Sequence, residues 1–377
     1  MRIAILGRDV HPPWNEAVKN MAYELARQLT RLGHSVLLIT TEREGTTMDD
    51  GVKLRTLPRP GFGKAAVKTI LEMEEAGELD IVHLQNMIIH RNLAPALWSL
   101  SRKSELPIVA YCCQLPTLSL SNWLHVFRKD PKEALSTKLG MLAPAFITSW
   151  TIRRISLVVA SSRFIKRKLA ASRPNREIEV VPPFLRNERV ALQATSVRKS
   201  HEHPQILYLG NHKALRGEED FLRMLSLVKR ELPEVRGVAV TTYPLPSRVP
   251  ALLNSLSLEG SVEFLSRNVD LDIPGLIRSS DLYVFTGQSP AGSIDPPLSI
   301  IESLILGTPV LSYDTGGIGE VLDQNSLVGY EDYTSLAELA CKVLRRNGAN
   351  NPRPELLSTY GSEAAAKRFE EIYQGLI

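Results

Sequence analysis

The sequence predicts an α/β protein of two consecutive parallel-sheet domains, and three observations carry that reading. Short apolar runs bounded by turn residues alternate with longer segments of helical periodicity, the pattern of strand–helix–strand crossovers. The alternation pauses over Pro182 to Pro204, a polar stretch without clear periodicity, and resumes at Gln205. At 377 residues the chain is long enough to bury two cores.

The elements follow in order. R-I-A-I-L-G (2–7) reads as a first buried strand, and Asn15 to Leu32 as an amphipathic helix with Met21, Leu25 and Leu29 on one face. Gly33-His34 ends that helix, and Ser35 to Thr41 is the next strand. Strand-like runs recur at Val52–Leu57, Ile81–Leu84, Pro107–Cys112 and Leu157–Ala160, with helical stretches between several of them. The second series starts with I-L-Y-L-G after Gln205 and a helix from about Glu218 to Leu232. Strands are expected near Gly237–Thr242, Val262–Leu265, Leu282–Phe285 and Pro309–Tyr313. Ser362 to Leu376 is an amphipathic last helix, with Ala366, Phe369 and Tyr373 on one side. No tandem repeat or low-complexity tract occurs, so the likeness of the halves is architectural.

Composition narrows the class. Hydrophobic content of 44% and charged content of 23% suit a globular domain protein. Cys112, Cys113 and Cys341 have neither zinc spacing nor a disulfide framework, which points to a reducing cytoplasm. The N-terminus reads as a strand rather than a signal peptide. The uncharged run Leu139–Ile152 contains Pro144 and is too short to span a bilayer. No His/Asp/Glu cluster has metal-ligand spacing, so no metal site is expected.

Charge is uneven. Residues 1–186 hold 27 Lys+Arg against 17 Asp+Glu, and the excess concentrates in 91–186, with 16 basic and 5 acidic residues. Arg153-Arg154 and Lys166-Arg167-Lys168 lie among Trp98, Trp123, Phe127, Phe146 and Trp150. Basic residues interleaved with aromatics suit an anionic membrane surface, on the cytoplasmic face. A solvated basic surface over core aromatics is the plainer alternative. Nucleic acid fits the charge, but no helix-turn-helix, zinc or RNA-binding pattern accompanies it, and none is expected as a partner.

The most informative stretch is 294–322, I-D-P-P-L-S-I-I-E-S-L-I-L-G-T-P-V-L-S-Y-D-T-G-G-I-G-E-V-L. Pro296 and Pro297 suit a helix start. Leu298, Ile301, Leu304 and Ile305 form an apolar face, Gly307 ends the helix, and Pro309 to Tyr313 is strand-like. The Gly316-Gly317 turn then reads as opening a second helix. Two helix N-termini on neighbouring turns favour an anion, and Glu302 is placed to accept bonds from a ribose. Glu302 on a solvated helix face is the competing reading.

Glu302, the Gly307-Thr308-Pro309-Val310 run and Gly316-Gly317-Ile318-Gly319-Glu320 resemble the nucleotide-sugar signature of the family-4 retaining glycosyltransferases, also called group 1. The resemblance implies the GT-B fold, two facing Rossmann-like domains with a ligand cleft between them. It implies an acceptor domain over 1–185, a nucleotide-sugar domain over 186–360, and a final helix (361–377) packing back on the first. The implied activity moves a sugar from a nucleoside-diphosphate sugar, a co-substrate with no cofactor, to a glycan, lipid-linked or other hydroxyl acceptor. Leu298, Ser299 and Ile300 are then expected to present N–H groups to phosphates and sugar, and Glu302 to bind the ribose. After the strand at Tyr208, Gly210-Asn211 and Arg216-Gly217 stand where the family has Gly-Arg and Lys-Gly. Arg216 and Lys213 are assigned to the diphosphate.

Two positions depart from the pattern. The family has a glutamate eight residues before Glu302, where this chain has Ile294 with Asp295 next to it. Asp295 is the candidate to take over that role, or else an acid at a helix N-terminus. Many relatives carry a histidine after the strand ending at Cys112, where this chain reads Cys113-Gln114. On the acceptor side the candidates are Asn15, Glu16 and Gln114, with helix capping the alternative for the first two. These departures leave open a weakened nucleotide- or glycan-binding subunit, and a nucleotide-sugar epimerase on the same fold.

Overall fold

The computed structural model describes residues 1–11, 16–42, 51–86, 93–115, 120–129, 131, 134–135, 150–171, 176–186, 202–241, 244–266, 271–346 and 351–377. They fall into two compact units, Met1–Trp123 with Ala134–Arg186 and Ser358–Ile377, and Leu124–Glu133 with Asn187–Leu357.

The first unit holds a seven-stranded parallel sheet. Its strands are β1 (Arg2–Leu6), β2 (Ser35–Thr41), β3 (Lys53–Leu57), β4 (Ile81–Gln85), β5 (Ile108–Cys112), β6 (Leu157–Ala160) and β7 (Ile178–Val180), in the order β3-β2-β1-β4-β5-β6-β7. Helices α1 (Ala17–Arg31), α2 (Phe62–Glu75), α3 (Ala94–Lys103), α4 (Leu120–Lys129) and α5 (Arg163–Ala170) belong to the crossovers, α4 passing into the second unit from Leu124 on. Ile3, Ala4, Ile5 and Leu6 are all buried, as expected of a strand covered on both faces. Strand β7 has only three residues with Glu179 in the middle, too short to show a period in sequence.

Two short helices close the chain, α11 (Leu357–Tyr360) and α12 (Ser362–Gln374), and α12 lies against α1 in the first unit. Phe369 meets the His83 and Tyr111 rings nearly edge-on at 5.1 and 5.3 Å. Burying that ring contributes about 2–3 kcal/mol. The Tyr373 hydroxyl donates to His83 Nδ1 at 2.7 Å, and His83 Nε2–H donates to Gln85 Oε1 at 2.9 Å. Burial drives the His83 pKa down to about 4, so the ring is neutral. His34 Nε2 meets Glu370 Oε1 at 2.8 Å on the rim. Where the chain leaves and re-enters this unit, Leu185 N–H donates to Tyr360 O and Ser362 N–H to Leu185 O.

The second unit holds a six-stranded parallel sheet in the order β10-β9-β8-β11-β12-β13. Its strands are β8 (Gln205–Leu209), β9 (Arg236–Thr241), β10 (Val262–Ser266), β11 (Leu282–Phe285), β12 (Val310–Tyr313) and β13 (Leu327–Val328). Helices α6 (Glu218–Glu231), α7 (Arg248–Ser255), α8 (Ile273–Ser279), α9 (Leu298–Leu306) and α10 (Tyr333–Arg345) complete it. The core joins Phe221, Leu222, Leu225 and Val228 of α6 to Leu336, Ala340 and Leu344 of α10 and to the sheet. Strand order reverses between β8 and β11, so their carboxyl ends open onto the crevice where such sheets bind ligands. Among the described residues, no helix is long and apolar enough to cross a membrane.

Candidate active site

Two loops flank the reversal point of the second sheet. The first runs from Gly210 to Gly217, after β8, and contains a single 3-10 turn at Ala214–Arg216. The second runs from Thr286 to Pro297, after β11, and delivers α9. They touch at Gly217, whose φ of +72 is left-handed and whose Cα faces Thr286. A Cβ there would collide with the Thr286 carbonyl oxygen, so only glycine fits. Thr286 Oγ1 donates to Gly217 O at 2.7 Å, and Gln288 N–H donates to Leu215 O at 2.9 Å.

In the first loop Lys213 is exposed and Arg216 half-buried, both close to the start of α6. The Asn211 side chain accepts from Lys213 N–H at 3.1 Å, which shapes the turn rather than extending a charge. Gly210 N–H donates to Val240 O at 3.0 Å, so that amide serves the sheet. His212 is clamped, Nδ1 on the Glu218 carboxylate at 2.8 Å and Nε2 on Thr241 Oγ1 at 3.2 Å. Burial raises the Glu218 pKa, and His212 partly opposes the rise.

Helix α9 starts at Leu298 behind Pro297 and is buried on nearly every side. It therefore lacks the solvated face that a two-sided helix would show, and Glu302 is only 9% exposed. Leu298 and Ser299 sit in the first turn, where backbone N–H groups precede the intrahelical ladder. Ile300 N–H already donates to Pro297 O at 3.1 Å, and the Ser299 hydroxyl pairs with that of Tyr283 at 2.7 Å.

Asp295 meets the Gly316-Gly317 turn, and that turn differs from the expectation. Asp295 is buried, and its Oδ1 accepts from Gly317 N–H at 2.7 Å. A Cβ at Gly316, where φ is +64, would strike that same carboxylate. The side chain thus braces the turn after β12, and the N-cap residue of α9 is Pro297. The turn does not open a second helix: it leads into one 3-10 turn, Ile318–Glu320. One helix N-terminus, that of α9, stands here in place of the two expected. The sequence suggested two because a Gly-Gly turn with an acid three residues on reads alike for a helix and for an isolated turn. Ile294 is buried.

The remaining candidates belong to the first unit. Asn15 lies outside the described residues. Glu16 is exposed at the N-cap of α1, yet its side chain makes no capping bond. Gln114 Oε1 accepts from Asn86 Nδ2 at 3.1 Å, while Asn86 Oδ1 accepts from Cys113 N–H at 3.1 Å. Asn86 has φ +50, a left-handed position that asparagine tolerates. Burial holds the Cys113 thiol protonated, which leaves it a poor nucleophile. Among the described residues no group of three or more His, Cys, Asp and Glu could hold a metal ion.

Sequence reasoning passed over Asp220, Gln288, Tyr313 and Asn86. Asp220 looks like an ordinary first-turn acid, and its partners lie 68 and 93 residues away. No local pattern announces such a contact.

The comparisons agree with this architecture. The model of glycosyltransferase family 4 matches residues 18–189, and that of the glycosyl transferases group 1 matches residues 203–346. The chain belongs to the family-4, group 1 glycosyltransferases. Among solved structures, sucrose-phosphate synthase from Thermosynechococcus elongatus is 15% identical, with 99% of this chain and 98% of that one covered and a TM-score of 0.76. Anabaena HepE in complex with UDP-glucose is 14% identical, with 99% of both chains covered and a TM-score of 0.72. WaaG, a glycosyltransferase involved in lipopolysaccharide biosynthesis, is 14% identical over 99% of this chain and 100% of that one, with a TM-score of 0.70. At such identities the likeness shows the fold, two Rossmann-like domains of the GT-B type. No curated protein sequence matches the chain.

Proposed function

We propose that this glycosyltransferase moves a sugar, with retention, from a nucleoside-diphosphate sugar to a hydroxyl of a glycan or lipid-linked acceptor, without a metal. The observation that carries the donor assignment is the pair of interlocked loops at the reversal point of the second sheet. One brings Lys213 and Arg216, the other the first turn of α9 with Glu302 behind it. HepE, of the same fold, has been solved with UDP-glucose and with UDP.

Breaking the anomeric bond puts negative charge on the departing diphosphate. Arg216 offers two parallel N–H bonds to it, Lys213 a point charge, and the Leu298 and Ser299 N–H groups fixed dipoles. Arg216 and Lys213 act on the leaving group and transfer no proton. Glu302 accepts from the ribose hydroxyls, and Gly210 and Asn211 shape the loop beneath the phosphates. Attack from the face the leaving group vacates needs no protein nucleophile. Asp295 then acts through the Gly316-Gly317 turn, as a brace for the sugar's surroundings. Gln114, Glu16 and Asn15 belong to the acceptor side.

The acceptor class follows from charge. Residues 134–176 carry nine basic side chains and no acidic one. In the first unit Arg153, Arg154, Arg163, Lys166, Arg167 and Lys168 are exposed, and Trp150 is 50% exposed. Such a surface suits an anionic membrane, each basic residue near it contributing about 1 kcal/mol. A peripheral enzyme on the cytoplasmic face, working on a membrane-held acceptor, fits it.

One observation favours a second reading. The family's glutamate position holds the apolar, buried Ile294, and the neighbouring Asp295 has its Oδ1 on Gly317 N–H. That is what a nucleotide-binding subunit without turnover would show. The deciding experiment incubates the protein with a panel of nucleotide sugars and membrane lipid extract, and follows nucleoside-diphosphate release beside Glu302→Ala. Lipid-stimulated release lost in the variant supports the transferase. Nucleotide binding without release under any donor supports the subunit.

A further inference from the structure

Asp220 is not among the residues assigned to the donor, yet it joins the three segments that carry or support them. Its Oδ2 accepts from Gln288 Nε2 at 2.8 Å and from the Tyr313 hydroxyl at 3.1 Å. Asp220 stands in the first turn of α6, four residues after Arg216. Gln288 lies in the loop that leads to Asp295 and α9, and Tyr313 ends β12 just before the Gly316-Gly317 turn. One carboxylate oxygen therefore ties a helix start, a loop and a strand end at the reversal point of the sheet.

All three side chains are buried, at 5%, 2% and 0% exposure for Asp220, Gln288 and Tyr313. A buried carboxylate is costly unless its bonds are made, and an apolar residue would fill the same space more favourably. What the carboxylate adds is a fixed geometry. Gln288 Oε1 is buried with no partner among the described residues, so the Nε2 bond to Asp220 is what orients this amide. Burial and the Asp220 charge push the Tyr313 pKa far up, which keeps its hydroxyl a donor.

We infer that Asp220 is a positioning residue for the transfer. Through Gln288 and Tyr313 it sets the spacing between the Lys213–Arg216 cations and the first turn of α9, and it touches no substrate itself. The inference rests on the donor reading above. A diphosphate has to meet both loops at once, so a change in their spacing acts on diphosphate binding first.

The test is titration calorimetry of the full chain with uridine and guanosine diphosphates, on the parent protein, Asp220→Ala, Asp220→Asn, Gln288→Ala and the Asp220→Ala/Gln288→Ala pair. Asparagine can accept both bonds through its carbonyl oxygen, and alanine can accept neither. The expected result is about a tenfold loss of affinity in Asp220→Ala, recovery to within about twofold in Asp220→Asn, and a paired variant no worse than either single one. Gln288→Ala losing a similar factor carries the test if Asp220→Ala does not fold. Parent-like binding in the alanine variants, an asparagine variant as weak as alanine, or additive losses would overturn the inference. A parent protein that binds neither nucleotide fails the donor reading itself, a result distinct from a parent that binds while the variants bind equally well.

Discussion

Among the described residues, the carboxyl edges of the two sheets differ in how deeply their polar contacts are buried. At the second edge, two buried carboxylates reach forward along the chain, Asp220 to Gln288 and Tyr313, and Asp295 to Gly317. Bonds to the Gly217 and Leu215 carbonyls, from the Thr286 hydroxyl and the Gln288 N–H, lock the same loops together. At the first edge the described polar contacts include Asp9, which accepts from Thr41 and Arg59, and an amide pair, Asn86 with Gln114 and the Cys113 N–H. That unit is also held by α12, with Phe369 and Tyr373 against His83 and Tyr111. Fixed dipoles of this kind are what the proposed diphosphate site at the second edge would need to stabilise developing charge.

The largest effect that breaks this contrast is expected away from either edge. Phe369→Ala removes a fully buried ring and should lower the stability of the first unit by about 3–5 kcal/mol, read as a denaturant midpoint shift. Nucleoside-diphosphate binding to the variant, measured below its transition, should persist. Its loss would mean that the second edge depends on α12.

Next in size is Arg216→Ala. If this guanidinium faces the leaving diphosphate, kcat should fall on the order of 100-fold. Lys213→Ala, at an exposed residue, should cost clearly less. Equal losses would mean that both cations bear on the leaving group alike, with no privileged place for Arg216.

Asp295 separates bracing from chemistry. Asp295→Asn keeps an acceptor for Gly317 N–H and should retain activity to within about tenfold, while Asp295→Ala loses more. An asparagine variant as inactive as the alanine one would assign the negative charge a direct part in the reaction.

Near neutral pH the smallest effect is a pH dependence confined to the first unit, which grows only as the solution is acidified. His83 is neutral in the fold, with a pKa near 4 against 6.5 when unfolded. A base whose folded pKa is depressed takes up fewer protons folded than unfolded between those values. Stability should therefore fall as pH drops from about 6.5 towards 4, at up to roughly 1.4 kcal/mol per unit, and level off below. His83→Gln should flatten that slope in a pH series of thermal midpoints. An unchanged slope would put the titration on other groups.

Much of this was legible in the sequence, for reasons that differ by element. Strands such as Leu157–Ala160 and Leu282–Phe285 stand out because a strand buried on both faces is a continuous apolar run. Strands β7 and β13, with three and two residues, are too short to carry any period. Glu302 and the Gly307–Val310 run were readable as a motif. The bracing role of Asp295 was not, because its partner is 22 residues away and the bond depends on how two turns fold towards each other. Asp220 was hidden in the same way, its contacts made across the sheet. Local spacing reveals helices, strands and caps; it does not reveal which buried acid meets which distant donor.

The central claim, that the second edge binds the donor, is tested most directly by amide hydrogen exchange with and without a nucleoside diphosphate. Slowed exchange is expected over Gly210–Gly217 and at Leu298 and Ser299, with no change around Asn86 and Cys113–Gln114. Protection centred on the first edge, with the loops after β8 and β11 unaffected, would contradict it.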